Sequence, residues 1–282
     1  MALTPQVVPA GCSLAAVLCW GTSDFVGGFA ARRANAFFLT TIAHASGGLL
    51  MVTLALLNHS EFPSRTSVLW ALAAGLVGGG ALAIFYRALA AGKMGITAPV
   101  AAVLGAAIPT VFGILTEGLP GSVQIAGFGL AVAGLWLISR AEDDSRPEGL
   151  GLAALAGIGF ASFFLCIKQA GNGSVSTLWI AATSRLASFV LTSTIVLLGR
   201  DFRVTRLSAA FGVLAGCLDV SGSALFIRAS QTGRLDAAVV ISSLYPAITV
   251  LLARLILKEQ LTRWKTVGML AALAAVPMIA LQ

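Results

Sequence analysis

The sequence predicts an all-α membrane protein of ten transmembrane helices, arranged as two inverted five-helix repeats. Three observations lead there. Of the 282 residues, 58% are hydrophobic and only 10% are charged, against about a quarter charged in a soluble domain. The apolar residues fall into ten stretches, each near the roughly 20 residues that a helix needs to cross a bilayer. Finally, polar and glycine motifs of the first half return in the second half in a nearly fixed register. The composition excludes an ordinary soluble globule and a nucleic-acid binder, and the short connections leave no room for an extramembrane catalytic domain.

The spans run, in order, over 11–31, 37–57, 68–87, 95–115, 121–139, 149–168, 178–198, 208–228, 236–256 and 264–281. All are read as helices, because an open strand cannot satisfy its backbone in hydrocarbon. Polar breaks punctuate them: Arg32-Arg33, NHSEFPSR, Gly92-Lys93, Glu117, SRAEDDSRPEG, GNGS, GRDFRVTR, TGRLD and KEQLTRWK. SRAEDDSRPEG is the most polar and divides the chain into a first repeat (1–139), a linker (140–148) and a second repeat (149–282). The residues ahead of the first span, MALTPQVVPAG, hold no basic side chain. A signal peptide would need one there, so the first span is expected to be retained. Cys12, Cys19, Cys166 and Cys217 show no paired spacing and read as small buried apolar residues, not a disulfide framework or a zinc site. Trp70 and Trp179, at span ends, read as interfacial anchors.

The repeat is visible in particular residues. Phe85-Tyr86-Arg87-Ala88 followed by Gly92 returns as Phe226-Ile227-Arg228-Ala229 followed by Gly233, an offset of 141. Gly75 and Gly216, and Gly127 and Gly268, share that offset; Glu117 and Glu259 differ by 142, Ser23 and Ser162 by 139. Five is odd, so consecutive five-helix units must lie in opposite orientations, an arrangement common among secondary transporters. Basic residues divide accordingly, 13 on the side of the first connection and 4 on the other. The positive-inside rule makes the richer side cytoplasmic and turns both termini outward.

CWGTSDFVGG in the first span, FYRALAAGKMG closing the third and SLYPAITVLLARLILKEQLTRWKTVG across the ninth and tenth resemble the ten-helix EamA-type branch of the drug/metabolite transporter superfamily. The likeness covers essentially the whole chain. It implies two EamA repeats packed as an inverted pair around a central substrate cavity, with no ATP-hydrolysing part. It also implies an arginine at the position of Arg185 and cytoplasmic termini, the latter opposite to the charge count. One departure is Leu104, which stands where the pattern has a proline thirteen residues before the glutamate; the second half keeps it as Pro246.

Ionisable groups deep in a span cost at least about 2.5 kcal/mol and usually face a cavity or a partner. Asp24, Arg185 and Asp219 are the clearest, and His44 is a fourth. Asp24 lies eight residues before Arg32, about 12 Å along a helix, and shares a face with Trp20, Gly27 and Gly28. It either binds a substrate amine, couples protons, or makes a structural hydrogen bond. Arg185 and Asp219, in neighbouring spans, are expected to pair, whether to fix packing or to meet substrate. His44 and Arg185 stand at equivalent positions of the two repeats, again with an offset of 141. His44 either packs helices or carries a proton. Pro246 cannot donate to the carbonyl of Ser242; with Tyr245 this marks a kink or a liganding carbonyl in the ninth span, or else an ordinary membrane-helix proline satisfied by Ser242 or a neighbour. Lys168, Arg87, Arg228 and Glu259 read as snorkelling helix-end charges.

Two acids against one arginine and one histidine give a cavity near neutral, suited to a zwitterion such as an amino acid. Family resemblance implies the same class. Amphipathic cations or drugs are the alternative. A phosphorylated substrate would require several deep basic groups. HExxH, GxSxG and closely spaced aspartates within a span are missing, which argues against a membrane-embedded enzyme; buried charges argue against a scaffold. The expectation is thus a non-enzymatic exporter in the plasma (inner) membrane, working by alternating access. It needs no cofactor or metal, takes a small-molecule substrate with proton coupling, and is a monomer or weak homodimer. Spans one to four and six to nine should line the cavity, with five and ten outside it.

Overall fold

The computed structural model describes residues 7–92, 94–139, 149–172, 176–258 and 262–280. The linker at 140–148, Lys93 and Glu259 lie outside them. The described chain is helical: α1 (Val7–Ala31), α2 (Ala36–Leu57), α3 (Arg65–Ala91), α4 (Met94–Glu117), α5 (Ser122–Ser139), α6 (Leu150–Gly171), α7 (Thr177–Gly199), α8 (Arg206–Thr232), α9 (Leu235–Ser242), α10 (Tyr245–Ile256) and α11 (Arg263–Ala280). Among the described residues, eight segments are long and apolar enough to cross a membrane: α1 to α4, α6 to α8, and α9 with α10 taken together. The helices α5 and α11 are shorter, at 18 residues each.

Local chemistry sets the helix starts, and it repeats. Asn35 accepts from the N–H groups of Phe37 and Phe38 at 2.9 and 3.0 Å, opening α2. Its register mate Ser176, at the same offset of 141, accepts from Trp179 N–H at 3.3 Å and opens α7. Ser64 caps α3 through Ser67 N–H, and Thr205 caps α8 through Ser208 N–H, in the same register. Each side-chain oxygen satisfies a donor that the first helical turn would leave orphaned.

Helix contacts follow the same exchange. The α1 helix packs along α8 as α6 packs along α3; α2 crosses α8 as α7 crosses α3; α4 leans on α6 as α9 and α10 lean on α1. The pairs α2–α7 and α5–α11 map onto themselves, the latter touching the other helices mainly through α4. Two glycines mark how closely the backbones approach. A Cβ on Gly75 would overlap the Ser184 carbonyl oxygen, and one on Gly216 would overlap the Ala43 carbonyl oxygen. The two glycines, and likewise Ala43 and Ser184, are register mates at an offset of 141. Small residues at membrane helix crossings permit this kind of backbone contact.

The ninth span is broken into two helices. Ser243 N–H still reaches Val239 O at 2.8 Å, but Leu244 N–H turns to Ile241 O at 3.1 Å, and α10 begins at Tyr245. Pro246, in the first turn of α10, sits where a missing N–H costs least while denying the Ser242 carbonyl its helical donor. The residues at the break, Ser242 to Pro246, are all buried.

Candidate functional site

A cavity of about 50 Å³ lies where α1, α3, α4, α6, α7, α8 and the α9–α10 break meet, enough for a few waters. One wall is polar. Arg185 Nη2 stands 2.8 Å from Asp219 Oδ2 and donates to Ser223 Oγ at 2.6 Å. Ser223, one turn beyond Asp219 on α8, donates in turn to the Asp219 carbonyl at 3.0 Å. Trp20 Nε1 donates to that same carbonyl at 3.0 Å, tying α1 to α8. Gly222 leaves the space for the indole, since a Cβ there would lie 2.7 Å from Trp20 Cδ1. The ion pair that the sequence predicts is therefore present, and it is held by a serine the sequence reading did not single out.

Asp24 lines the same cavity and is 5% exposed. It has no hydrogen-bond or ion-pair partner among the described residues, although it lies close enough to Asp219 and Tyr245 to interact with them electrostatically. Arg185 Nε, the Tyr245 hydroxyl and the Ser243 hydroxyl are likewise buried without a partner there. A cluster of buried polar groups left unpaired is rare in folded proteins and points to water or a ligand.

A second part of the lining is aromatic, formed by Phe160, Phe163 and Phe164 of α6. Trp20 connects the two walls, 5.8 Å from the Phe164 ring and 6.3 Å from Tyr245. The repeat register explains the asymmetry. At an offset of 139 the counterpart of Asp24 is Phe163; at an offset of 141 the counterparts of Asp219 and Arg185 are Gly78 and His44. The charged triad is drawn from both repeats, Asp24 from the first and Arg185 and Asp219 from the second, and the equivalent positions carry an aromatic ring in the second repeat and a glycine and an imidazole in the first. Even the Trp20–Gly222 fit is reversed, because Gly159 makes room for Ala81.

The remaining predicted residues lie off the cavity. His44 is 1% exposed and neither ring nitrogen has a well-formed hydrogen bond; it lies near the Gly79 backbone and Arg185. No residue of α2 is among the cavity lining, which corrects the expectation that the second span contributes to it. Close contact of α2 with α8, where Gly47 faces Gly216 and Val220, holds that helix behind the lining. Ser242 is fully buried with an unpartnered hydroxyl, one residue before the lining residue Ser243. Pro246 shapes the break without lining the cavity. Gly27 and Gly28, on the Asp24 helix, accommodate Tyr86 and Leu89 of α3; Tyr86 also bonds Ser23, whose hydroxyl donates to the Ala215 carbonyl at 2.8 Å. Among the described residues no group of three or more His, Cys, Asp or Glu could hold a metal ion.

Sequence signals for the missed residues are uneven. Ser223 could have been found as the residue one turn after Asp219, and Phe163 as the register mate of Asp24. Phe160 and Phe164 carry no such mark.

The model of the EamA-like transporter family matches residues 10–140 and again 147–281. A solved structure described only as "Crystal structure of protein" superposes with a TM-score of 0.74 at 17% identity, covering 97% of this chain and 98% of that one. This likeness concerns the fold alone. No curated protein matches the chain.

Proposed function

Because the chain belongs to the EamA-like transporter family, multi-pass membrane transporters of the drug/metabolite type, we propose that it is a secondary transporter exporting amino acids or similar small zwitterions across the plasma membrane. The observation that carries this reading is the pairing in one cavity of an unpartnered acid, Asp24, with an arginine whose Nε donates to nothing among the described residues. A substrate ammonium would meet Asp24, and its carboxylate would take up the spare capacity of Arg185. An apolar side chain would lie against Phe160, Phe163 and Phe164. Two five-helix repeats in opposite orientations would rock about this cavity, completing ten spans with α5 and α11 on the outside. The same Asp24 would release substrate when it takes a proton, coupling export to proton entry.

One observation favours a second reading. Arg185 is already neutralised by Asp219 at 2.8 Å, which leaves Asp24 as an uncompensated acid among aromatic rings. That environment suits an amphipathic cation, held by charge and by ring faces. Counterflow in proteoliposomes separates the two. Loading with unlabelled amino acid should accelerate uptake of labelled amino acid by the wild type; acceleration only by amines or quaternary ammonium ions would establish the second reading and overturn the first. Family membership speaks for transport against a membrane-embedded enzyme or a scaffold, and counterflow by neither substrate class would count against transport of either.

A further inference from the structure

At one end of the bundle, a single carboxylate joins three helices, and its lysine partner reaches a fourth. Glu117, the last residue of α4, places Oε2 2.8 Å from the Leu235 N–H and Oε1 2.9 Å from Lys168 Nζ of α6. Lys168 also donates to the Ser230 carbonyl of α8 at 3.2 Å. Arg234 completes the join from the other direction, donating to the Glu117 and Gly118 carbonyls at 3.2 and 2.6 Å while Asp236 holds its guanidinium at 2.7 Å. The C-terminus of α4 thus meets a cation and the N-terminus of α9 meets an anion, the favourable sense of both helix dipoles. No side chain of its own caps α9; Glu117 caps it from another helix.

The placement relates this network to the cavity. All four helices or their continuations line it, at Gly105, Phe160, Ser223 and Ser243. Counting along each helix, Glu117, Lys168, Ser230 and Leu235 lie about 10–18 Å from those residues at 1.5 Å per residue, and chain direction puts every one toward the same end. Below the network α4 and α9 touch closely, since a Cβ on Gly113 would lie 2.9 Å from the Asp236 nitrogen. The Lys168 and Glu117 side chains are 20% and 22% exposed. A fully buried pair would be costly to separate, and a fully exposed one would hold little. This intermediate burial lets water replace the contacts when the helices part.

We propose that Glu117, Lys168 and Arg234 form a latch that holds this end of the transporter shut and is exchanged for water each time the cavity opens there. The residues act by positioning helices and touch no substrate. The inference rests on the alternating-access reading above. Its test uses a background without the four native cysteines and a single Ala102→Cys in the cavity wall, labelled in oriented vesicles by a membrane-impermeant maleimide. Glu117→Gln and Lys168→Met should each raise labelling from the latch face at least fivefold and leave labelling from the opposite face unchanged, while Lys168→Arg restores the wild-type rate. Unchanged labelling in both variants would overturn the latch. So would an equal rise from both faces, which would mean a generally loosened fold. Should one of the two variants fail to insert, the other decides. Labelling does not depend on substrate identity, so a failed counterflow assay and a failed latch are told apart.

Discussion

Asp24 and Asp219 are both buried aspartates in the same cavity, yet their environments differ in kind. Asp219 has a guanidinium at 2.8 Å and its backbone carbonyl takes two side-chain donors. Asp24 has none of this. Removing a partner from a buried pair leaves the other charge stranded, at a cost of about 3–5 kcal/mol. Asp219→Asn should therefore lower the melting temperature and expression of the detergent-solubilised protein. Asp24→Asn should insert and melt like the wild type but transport at least about tenfold more slowly, a barrier increase near 1.4 kcal/mol. Equal melting temperatures for the two variants would contradict this division of roles. The pair itself was legible in the sequence, because a deep arginine needs an anion and only one neighbouring span offers it. The aromatic wall was not, since a phenylalanine facing a cavity and one facing lipid look alike in an apolar helix. Nor was the latch: helix-end charges default to snorkelling, and Glu117 and Lys168 belong to separate repeats.

Helix ends and crossings carry the duplication more sharply than the apolar stretches do. N-caps at Asn35 and Ser176, and at Ser64 and Thr205, recur in one register although the residues differ. Hydropathy located the helices, but it could not reveal that the ninth span divides at Ser243–Leu244, because the bonds lost there depend on how the backbone turns. The glycines Gly75 and Gly216 give a direct check on the crossings. Gly75→Ala and Gly216→Ala each force a methyl onto a facing carbonyl, and overpacking of this kind costs about 1–3 kcal/mol. Both should lower the melting temperature by similar amounts, whereas Gly129→Ala, with open space around it, should not. A second check concerns the turn that joins the repeats at the other end. Asn35 Nδ2 donates to Asp201 Oδ2 at 2.8 Å and Asn35 N–H to the Arg203 carbonyl at 2.8 Å. The Arg203 guanidinium, and then the Asn35 amide, hold the Asp201 carboxyl below the usual carboxylate range. A depressed folded-state value means the contribution is present above the unfolded pKa, about 3.9, and is lost as pH falls through the lower folded value. Hydrogen exchange at the Asn35 amide should be slower in the wild type than in Asp201→Asn at neutral pH, with the difference vanishing in strong acid.

Across the whole molecule, the two halves of the duplicated scaffold pack reciprocally while their register-equivalent cavity positions differ in chemistry, each half contributing charged groups where the other carries Phe163, or Gly78 and His44. The scaffold was readable from residue offsets; which face of each helix turns inward was not, and that is why α2 was wrongly expected at the cavity. Orientation in the membrane is the remaining property of the whole chain. Connections beside the Asn35–Asp201 turn hold 13 basic residues and those beside the latch hold 4. Short connections are where such a bias governs insertion. The latch face should therefore be external, with Gln282 on the same side as the latch. A reporter active only outside the cytoplasm, fused after Gln282, should be active, and one fused in the connection between α1 and α2 should be silent. The reverse pattern would overturn the charge-based orientation and transfer the latch to the cytoplasmic face. It would leave the latch contacts intact and change which step of the proposed export cycle they control, from substrate release to substrate entry.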